Sequence, residues 1–144
     1  MIESGADGLD GLLGGGLESG TACMVVGATG TGKTPIATFY AHAAAKRGDH
    51  AAIFTFDERR KTFLMRSEGL GTDLRPQIDA GLISLRAIRT AEVALTEFTD
   101  LVRATVEEDG TKVVMIDSLT GYFHSMPQEE ALITQMHDLL YFLG

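Results

Sequence analysis

A glycine-rich segment lies between two apolar stretches near the start of the chain, and few folds accommodate this order. It reads Gly27-Ala28-Thr29-Gly30-Thr31-Gly32-Lys33-Thr34. The run before it, residues 21–26 (TACMVV), is short and apolar, which is typical of a buried strand in a parallel sheet. Residues 33–47 then carry apolar side chains at helical spacing, up to Gly48. A strand, a glycine-rich turn and a helix in succession indicate an α/β fold.

The segment matches the pattern G-x-x-x-x-G-K-[ST] in full, and each fixed residue type has a chemical reason. Glycines let backbone N–H groups curl around an anion without Cβ clashes, and the N-terminus of the following helix adds its dipole. Lys33 would reach the β- and γ-phosphates of a nucleotide, and the Thr34 hydroxyl would complete the coordination of Mg²⁺. We therefore predict a phosphate-binding loop at residues 27–34, with the phosphates of a nucleotide and Mg²⁺ as its ligands.

The rest of the chain continues the alternation of strands and helices. Strands are predicted at residues 51–56, 82–85 and 113–116, and helices at residues 58–70, 92–108 and 129–143. Strand and helix alternating four times predict a mainly parallel sheet with helices packed on it and right-handed crossovers. The chain stops after a predicted helix, so we expect one domain over residues 1–144 whose later strands are missing.

Asp117 directly follows the apolar strand at residues 113–116. In nucleotide-binding α/β sheets, ligands sit at the carboxyl ends of the strands, where a carboxylate can hold a metal-bound water of the Mg²⁺–nucleotide complex. A strand that merely ends in Asp at a turn is the alternative. The phosphate-binding loop upstream favours Asp117 as a metal ligand alongside Thr34.

Asp57 and Glu58 follow the strand at residues 51–56. If that strand neighbours the one at residues 21–26, both carboxylates project towards the γ-phosphate and can orient or deprotonate an attacking water. Alternatively, Asp57 caps the next helix and Glu58 favours its dipole. Residue chemistry alone leaves both interpretations open. The basic residues 59–61 (RRK) form either a solvated face or a contact with a neighbouring subunit.

The composition excludes several classes of protein. The chain has 144 residues, 44% of them hydrophobic, and its 12 Lys+Arg against 20 Asp+Glu give a net charge of −8, which argues against a broad basic face for nucleic acid. The single cysteine, Cys23, excludes an internal disulfide and fits a reducing compartment. With neither a membrane-length apolar run nor a signal peptide, we expect a cytoplasmic protein.

Four histidines lack metal-site spacing, and we interpret them as surface or hydrogen-bonded residues: His42, His50, His124 and His137.

Taken together, five segments of the sequence resemble the KaiC-like branch of the RecA superfamily, the circadian-clock ATPase family. They are residues 4–17 (SGADGLDGLLGGGL), the phosphate-binding loop, residues 56–58 (FDE), residues 69–74 (GLGTDL) and residues 116–119 (IDSL). The resemblance implies a RecA-like ATPase core that assembles into rings, usually hexamers, with ATP at the subunit interfaces. It also implies that Asp57 and Glu58 activate water or a hydroxyl, although the family commonly has Glu at both positions. Lys33 would complete the catalytic set.

Some members of the family are Ser/Thr autokinases, so the resemblance implies possible autophosphorylation and signalling partners in circadian or other control. Two other functions stay open. One is a DNA-dependent ATPase of the recombinase or helicase kind (RecA, RadA), against which the acidic charge stands; the other is an interaction module switched by nucleotide with little turnover. The leucines at positions 9, 12 and 13 form a short apolar stripe, which either docks on the sheet or a neighbour or simply caps the core.

Overall fold

The computed structural model describes residues 2–18, 33–56, 58–69, 71–89 and 95–117. Its helices are α1 (Asp7–Leu12), α2 (Lys33–Lys46), α3 (Arg60–Gly69), α4 (Arg75–Asp79) and α5 (Leu95–Asp109), and its strands are β1 (Ala51–Phe56), β2 (Ile83–Ile88) and β3 (Val113–Asp117). The three predicted strands that fall within these ranges are confirmed. The strand predicted at residues 21–26 and the helix predicted at residues 129–143 lie outside the described residues. None of the helices in this part of the chain is long and apolar enough to cross a membrane.

The three strands form a parallel sheet in the order β2-β1-β3, which confirms the predicted α/β class. In the register, Ala51 is the partner of Ile83 on one side and of Val113 on the other. Because a strand has only two edges, no further strand can lie beside β1. The arrangement in which the strand at residues 51–56 neighbours residues 21–26 is therefore wrong.

Helices cover both faces of the sheet. On one face, α2, α3 and the segment leading into α4 bury Ala44, Phe63 and Leu74 against the sheet. On the opposite face, Phe98 and Val102 of α5 are fully buried, and the Phe98 ring meets Phe54 of β1 edge-to-face, with centroids 5.7 Å apart. The crossover from β1 to β2 and the crossover from β2 to β3 run in opposite directions across the sheet. Because α3 and α5, which make these crossovers, lie on opposite faces, both crossovers have the same handedness.

Residues 2–17 form a closed loop that lies over the outer side of α2. An antiparallel bridge joins Ile2 to Leu17, and the Asp10 carboxylate accepts hydrogen bonds from the backbone N–H and the hydroxyl of Ser4, both at 2.8 Å. The Arg47 guanidinium of the turn after α2 donates to the carbonyl oxygen of Glu3 at 3.3 Å. The N-terminal segment therefore caps the helix layer, as one of the two interpretations predicted.

Two leucines of this loop are exposed: Leu12 is 87% exposed and Leu13 is 42% exposed, whereas Leu9 is half-buried. Docking of Leu12 and Leu13 against the sheet, one of the alternatives, is therefore wrong. Docking of these leucines on a neighbouring molecule stays a prediction.

Candidate functional site

The carboxyl ends of β1 and β3 bring two of the predicted acidic residues, Glu58 and Asp117, to one edge of the sheet. Asp117, the last residue of β3, is the register partner of Thr55 in β1. Glu58 follows Thr55 by three residues, and all strands of a parallel sheet end at the same edge. The structure thus confirms that Asp117 ends a strand and brings the backbone of Glu58 to the same edge.

Thr55 fixes the chain where it leaves β1. Its side chain is fully buried, and its hydroxyl donates a hydrogen bond of 3.2 Å to the carbonyl oxygen of Glu58. The turn that follows is therefore attached to the sheet by a buried group. This contact fixes the backbone of Glu58, and with it the point from which the Glu58 side chain extends.

Helix α3 begins two residues later than predicted, at Arg60, so Glu58 lies in the preceding loop. The carbonyl of Arg59 accepts the first helical hydrogen bond, from the N–H of Phe63 at 3.0 Å. The residue whose carbonyl accepts that first bond is the N-cap, so the capping position falls on Arg59. The alternative role of Asp57 as a helix cap concerns a residue outside the described ranges and stays a prediction.

The Glu58 carboxylate forms an ion pair with a residue that the sequence patterns did not indicate. Its Oε2 accepts a hydrogen bond of 2.8 Å from Nη2 of Arg66, in the last turn of α3. The side chain of Glu58 is only 23% exposed, and the Arg66 guanidinium lies 5.7 Å above the ring of buried Phe63. Arg66 could not be found from sequence because an eight-residue spacing matches no helical pairing rule once the first residue lies in a loop.

The phosphate-binding loop meets the described structure only at its end. Helix α2 begins at Lys33, as the pattern predicted for the helix that follows such a loop. The other predicted nucleotide contacts lie outside the described residues: Gly27, Ala28, Thr29, Gly30, Thr31 and Gly32. The roles predicted for the side chains of Lys33, Thr34 and Asp117 stay predictions.

The basic residues before and within the start of α3 are exposed in the single chain, which both a solvated face and a contact with a neighbouring subunit allow. Arg60 also donates a hydrogen bond of 3.1 Å to the carbonyl oxygen of Leu85 in β2, which ties α3 to the edge strand. An open groove of about 490 Å³ lies along this side of the helix layer. Six side chains line it: Arg60, Lys61, Leu64, Met65, Glu68 and Arg75.

The two histidines within the described ranges are hydrogen-bonded. His42 Nδ1 lies 2.7 Å from Oε1 of Gln77, and His50 lies between Thr111 and Ser84 at 2.8 and 3.1 Å. Each contact joins elements distant in the sequence. These histidines therefore serve to fasten helices and strands together, as expected of hydrogen-bonded residues.

Similarity to known proteins agrees with this geometry. The sequence model of the family described as "ATPase: KaiC" matches residues 2–144, nearly the whole chain. The chain belongs to the KaiC ATPase family. Its α/β fold, the alternation of strands and helices and the position of Asp117 at a strand end all suit a RecA-like member of this family.

Individual KaiC proteins show the same relationship. The chain is 28% identical to the circadian clock oscillator protein KaiC of Picosynechococcus sp. and 29% identical to that of Acaryochloris marina, in each case over 83% of this chain and 23% of the relative. It is 27% identical to KaiC of Prochlorococcus marinus over 83% of this chain and 24% of the relative. The matched region thus spans about a quarter of the length of these relatives.

Proposed function

We propose that this KaiC-family chain binds ATP with Mg²⁺ at residues 27–34 and hydrolyses it. Membership of the family supports an ATPase. The observation that carries the proposal is the register of β1 and β3, in which Asp117 is the partner of Thr55 and Glu58 follows three residues later. Asp117, which ends β3, and Glu58, in the loop after β1, therefore lie on the side of the sheet at which ligands of parallel α/β sheets bind.

The helix layers predict where the phosphate-binding loop lies relative to this edge. Helix α2 packs on the same face as α3, so right-handed crossovers through both must cross the sheet in the same direction. In going from β1 to β2, the chain moves across the sheet away from β3. A crossover through α2 into β1 that runs in the same direction must start from a strand on the β3 side of β1. Since β1 is already paired on both edges, we expect this strand, residues 21–26, to lie beside β3. Gly27 would then follow directly beside Asp117.

The residues at this edge suit a magnesium–nucleotide complex. The Thr34 hydroxyl and the Asp117 carboxylate are hard oxygen donors of the kind that Mg²⁺ prefers, and Asp117 would hold the ion through a bound water. When bound, Mg²⁺ offsets negative charge on the β- and γ-phosphates. Lys33 and the backbone N–H groups of residues 27–34 would bind those phosphates and hold the γ-phosphorus in position.

Glu58 would act as the general base, with Asp57 orienting the water. As the water oxygen bonds to the γ-phosphorus, the bond from phosphorus to the β–γ bridging oxygen breaks, and ADP and phosphate leave. The proton of the attacking water passes to the Glu58 carboxylate. A base of this kind contributes about 10²- to 10⁴-fold to the rate.

The test is ATP hydrolysis and ATP binding by Glu58→Gln. We expect binding close to that of the parent chain and hydrolysis slower by about 10²-fold or more, because the amide cannot accept the proton. Glu68→Gln is the matched control, since Glu68 is an acid of helix α3, which follows Glu58, and its side chain is 51% exposed and paired with Arg75. Hydrolysis by Glu58→Gln at the rate of the parent chain would contradict the assignment of Glu58 as the base.

Two results with the parent chain would replace the proposal by another function. Tight ATP binding without measurable turnover would indicate an interaction module switched by nucleotide. Stimulation of hydrolysis by single-stranded DNA would indicate a DNA-dependent ATPase of the recombinase or helicase kind.

We propose further that copies of this chain assemble with ATP into a ring of six, and that the whole protein acts in circadian or signalling control. The names of its relatives, which are circadian clock oscillator proteins, support the second point. Mass measurement in solution with and without ATP tests the assembly. Transfer of ³²P from γ-labelled ATP to serine or threonine of the protein tests the autokinase activity.

A further inference from the structure

We propose that Arg66 is a positioning residue for Glu58: it holds the carboxylate of the catalytic base in the orientation needed to accept a proton. The proposal rests on the role of Glu58 given above. In this proposal Arg66 acts on hydrolysis through the Glu58 carboxylate and not through the phosphates.

The first observation is that both ends of the Glu58 side chain are held. At the backbone end, the buried Thr55 hydroxyl donates to the Glu58 carbonyl at 3.2 Å. At the carboxylate end, Arg66 Nη2 donates to Oε2 at 2.8 Å, a length typical of a charge-assisted bond. A glutamate has several rotatable bonds, and the two contacts together leave its carboxylate little freedom.

The second observation is that Arg66 is itself held. Its guanidinium lies 5.7 Å from the centroid of the Phe63 ring, within the range of a cation–π contact. Phe63 is fully buried in the core between α3 and the sheet, so the ring cannot move away. The buried Phe63 ring therefore holds the Arg66 guanidinium, and the guanidinium in turn holds the Glu58 carboxylate.

The charges at the sheet edge explain why a cation is useful there. The backbone of Glu58 shares the edge with that of Asp117, and an ATP molecule bound by residues 27–34 would add several negative charges. Like charges repel, and a flexible carboxylate would turn away from the phosphates. A guanidinium bonded to the carboxylate offsets part of this repulsion and keeps Glu58 in place.

Arginine suits this role better than lysine. Its planar guanidinium can stack on an aromatic ring and donate to a carboxylate in a fixed direction, whereas an ammonium group is a mobile point charge. We therefore expect Arg66→Lys to retain the charge and part of the function while losing part of the orientation.

The experiment measures kcat and KM for ATP in Arg66→Ala, Arg66→Lys and the double variant Glu58→Gln/Arg66→Ala. We expect Arg66→Ala to lower kcat about tenfold with KM for ATP nearly unchanged, as the loss of a residue that only positions the base would do. Arg66→Lys should recover part of this loss. In the double variant the rate should equal that of Glu58→Gln alone, because a residue that acts only through Glu58 has nothing left to position.

Arg75→Ala is the matched control. Arg75, in α4, forms an ion pair of 2.9 Å with Glu68, which lies in α3 like Arg66. The side chain of Arg75 is 47% exposed, against 42% for that of Arg66. Breaking this pair should leave kcat unchanged. An equal loss of kcat in Arg75→Ala would mean that α3 is merely destabilised and would overturn the proposal.

Two further outcomes also overturn it. The first is a parent-like kcat in Arg66→Ala while Glu58→Gln is slow, in which case Glu58 remains the base and Arg66 does not position it. The second is a rate in the double variant slower than Glu58→Gln by the full factor seen in Arg66→Ala. A parent-like rate in Glu58→Gln, by contrast, would overturn the assignment of Glu58 as the base, on which this proposal rests.

Discussion

Thr55 of β1 and Asp117 of β3 are register partners at the carboxyl edge of the sheet. Thr55 is also the residue whose buried hydroxyl holds the carbonyl of Glu58, at 3.2 Å. One residue thus links the strand that ends in the candidate metal ligand to the loop that carries the candidate base. The two acidic positions are 59 residues apart in the sequence, from 58 to 117, and only strand pairing brings them to one edge.

Lys33→Ala is expected to weaken ATP binding by about ten- to a hundredfold. A hydrogen bond to a charged group contributes about 1.5–3 kcal/mol, and each 1.4 kcal/mol is about tenfold in affinity. Titration with a fluorescent ATP analogue measures the loss. Lys46→Ala removes the same charge from the other end of α2 and should bind ATP like the parent chain. Parent-like binding by Lys33→Ala would contradict the phosphate-binding role.

Asp117→Asn is expected to raise the Mg²⁺ concentration needed for half-maximal hydrolysis by about tenfold. The neutral amide attracts a cation less strongly than the carboxylate does. The measurement is hydrolysis at saturating ATP over a series of Mg²⁺ concentrations. Asp109→Asn, at the end of α5, removes one exposed carboxylate elsewhere and serves as the control. An unchanged Mg²⁺ requirement in Asp117→Asn would refute the role of Asp117 as a metal ligand.

Gly16→Ala is expected to destabilise the folded chain by about 2–3 kcal/mol. Gly16 has φ of +127°, and a Cβ there would lie against the carbonyl oxygen of Ile2, closer than atoms can approach. Gly14→Ala is the matched control, since Gly14 has φ of +70° but open space around its Cβ position, and it should cost about 1 kcal/mol. Urea unfolding of both variants measures the difference. Equal losses would show that the closed loop of residues 2–17 does not need the close approach at Gly16.

Asp10 is expected to make stability depend on pH in the acid range. The backbone N–H of Ser4 is the main cause that lowers the pKa of Asp10 below its ordinary value of 3.8, and the Ser4 hydroxyl and the Gly5 N–H act in the same direction. Since the pKa is lower in the folded chain, the carboxylate stabilises the fold above about pH 3.8 and loses this effect as the pH falls through the folded-state pKa.

The urea midpoint of the parent chain should therefore fall more steeply between about pH 5 and pH 2 than that of Asp10→Asn. Asp7→Asn removes a carboxylate from the same short helix and should keep the steep fall. If Asp10→Asn shows the same pH dependence as the parent chain, the carboxylate does not stabilise the N-terminal loop.

The local elements were predictable because their signals are local. Residues 51–56 (AAIFTF) and 113–117 (VVMID) are apolar runs bounded by polar or glycine residues, and both are strands. The start of α3 was predicted two residues too early, because Glu58 is a good helix former that a buried threonine holds in the preceding turn. The short helix α4 was not predicted, since five residues beginning Arg75-Pro76 carry too little periodicity.

The amino-acid sequence by itself determined the phosphate-binding pattern, the alternation that makes an α/β fold and the family to which the chain belongs. These depend on residue type and spacing along the chain, which do not change on folding. Strand order, the ion pair of Glu58 with Arg66 and the exposure of Leu12 were decided by tertiary structure. These three features depend on contacts between segments that are distant in the sequence. Such contacts form only when the chain folds and β1 pairs with β2 and β3.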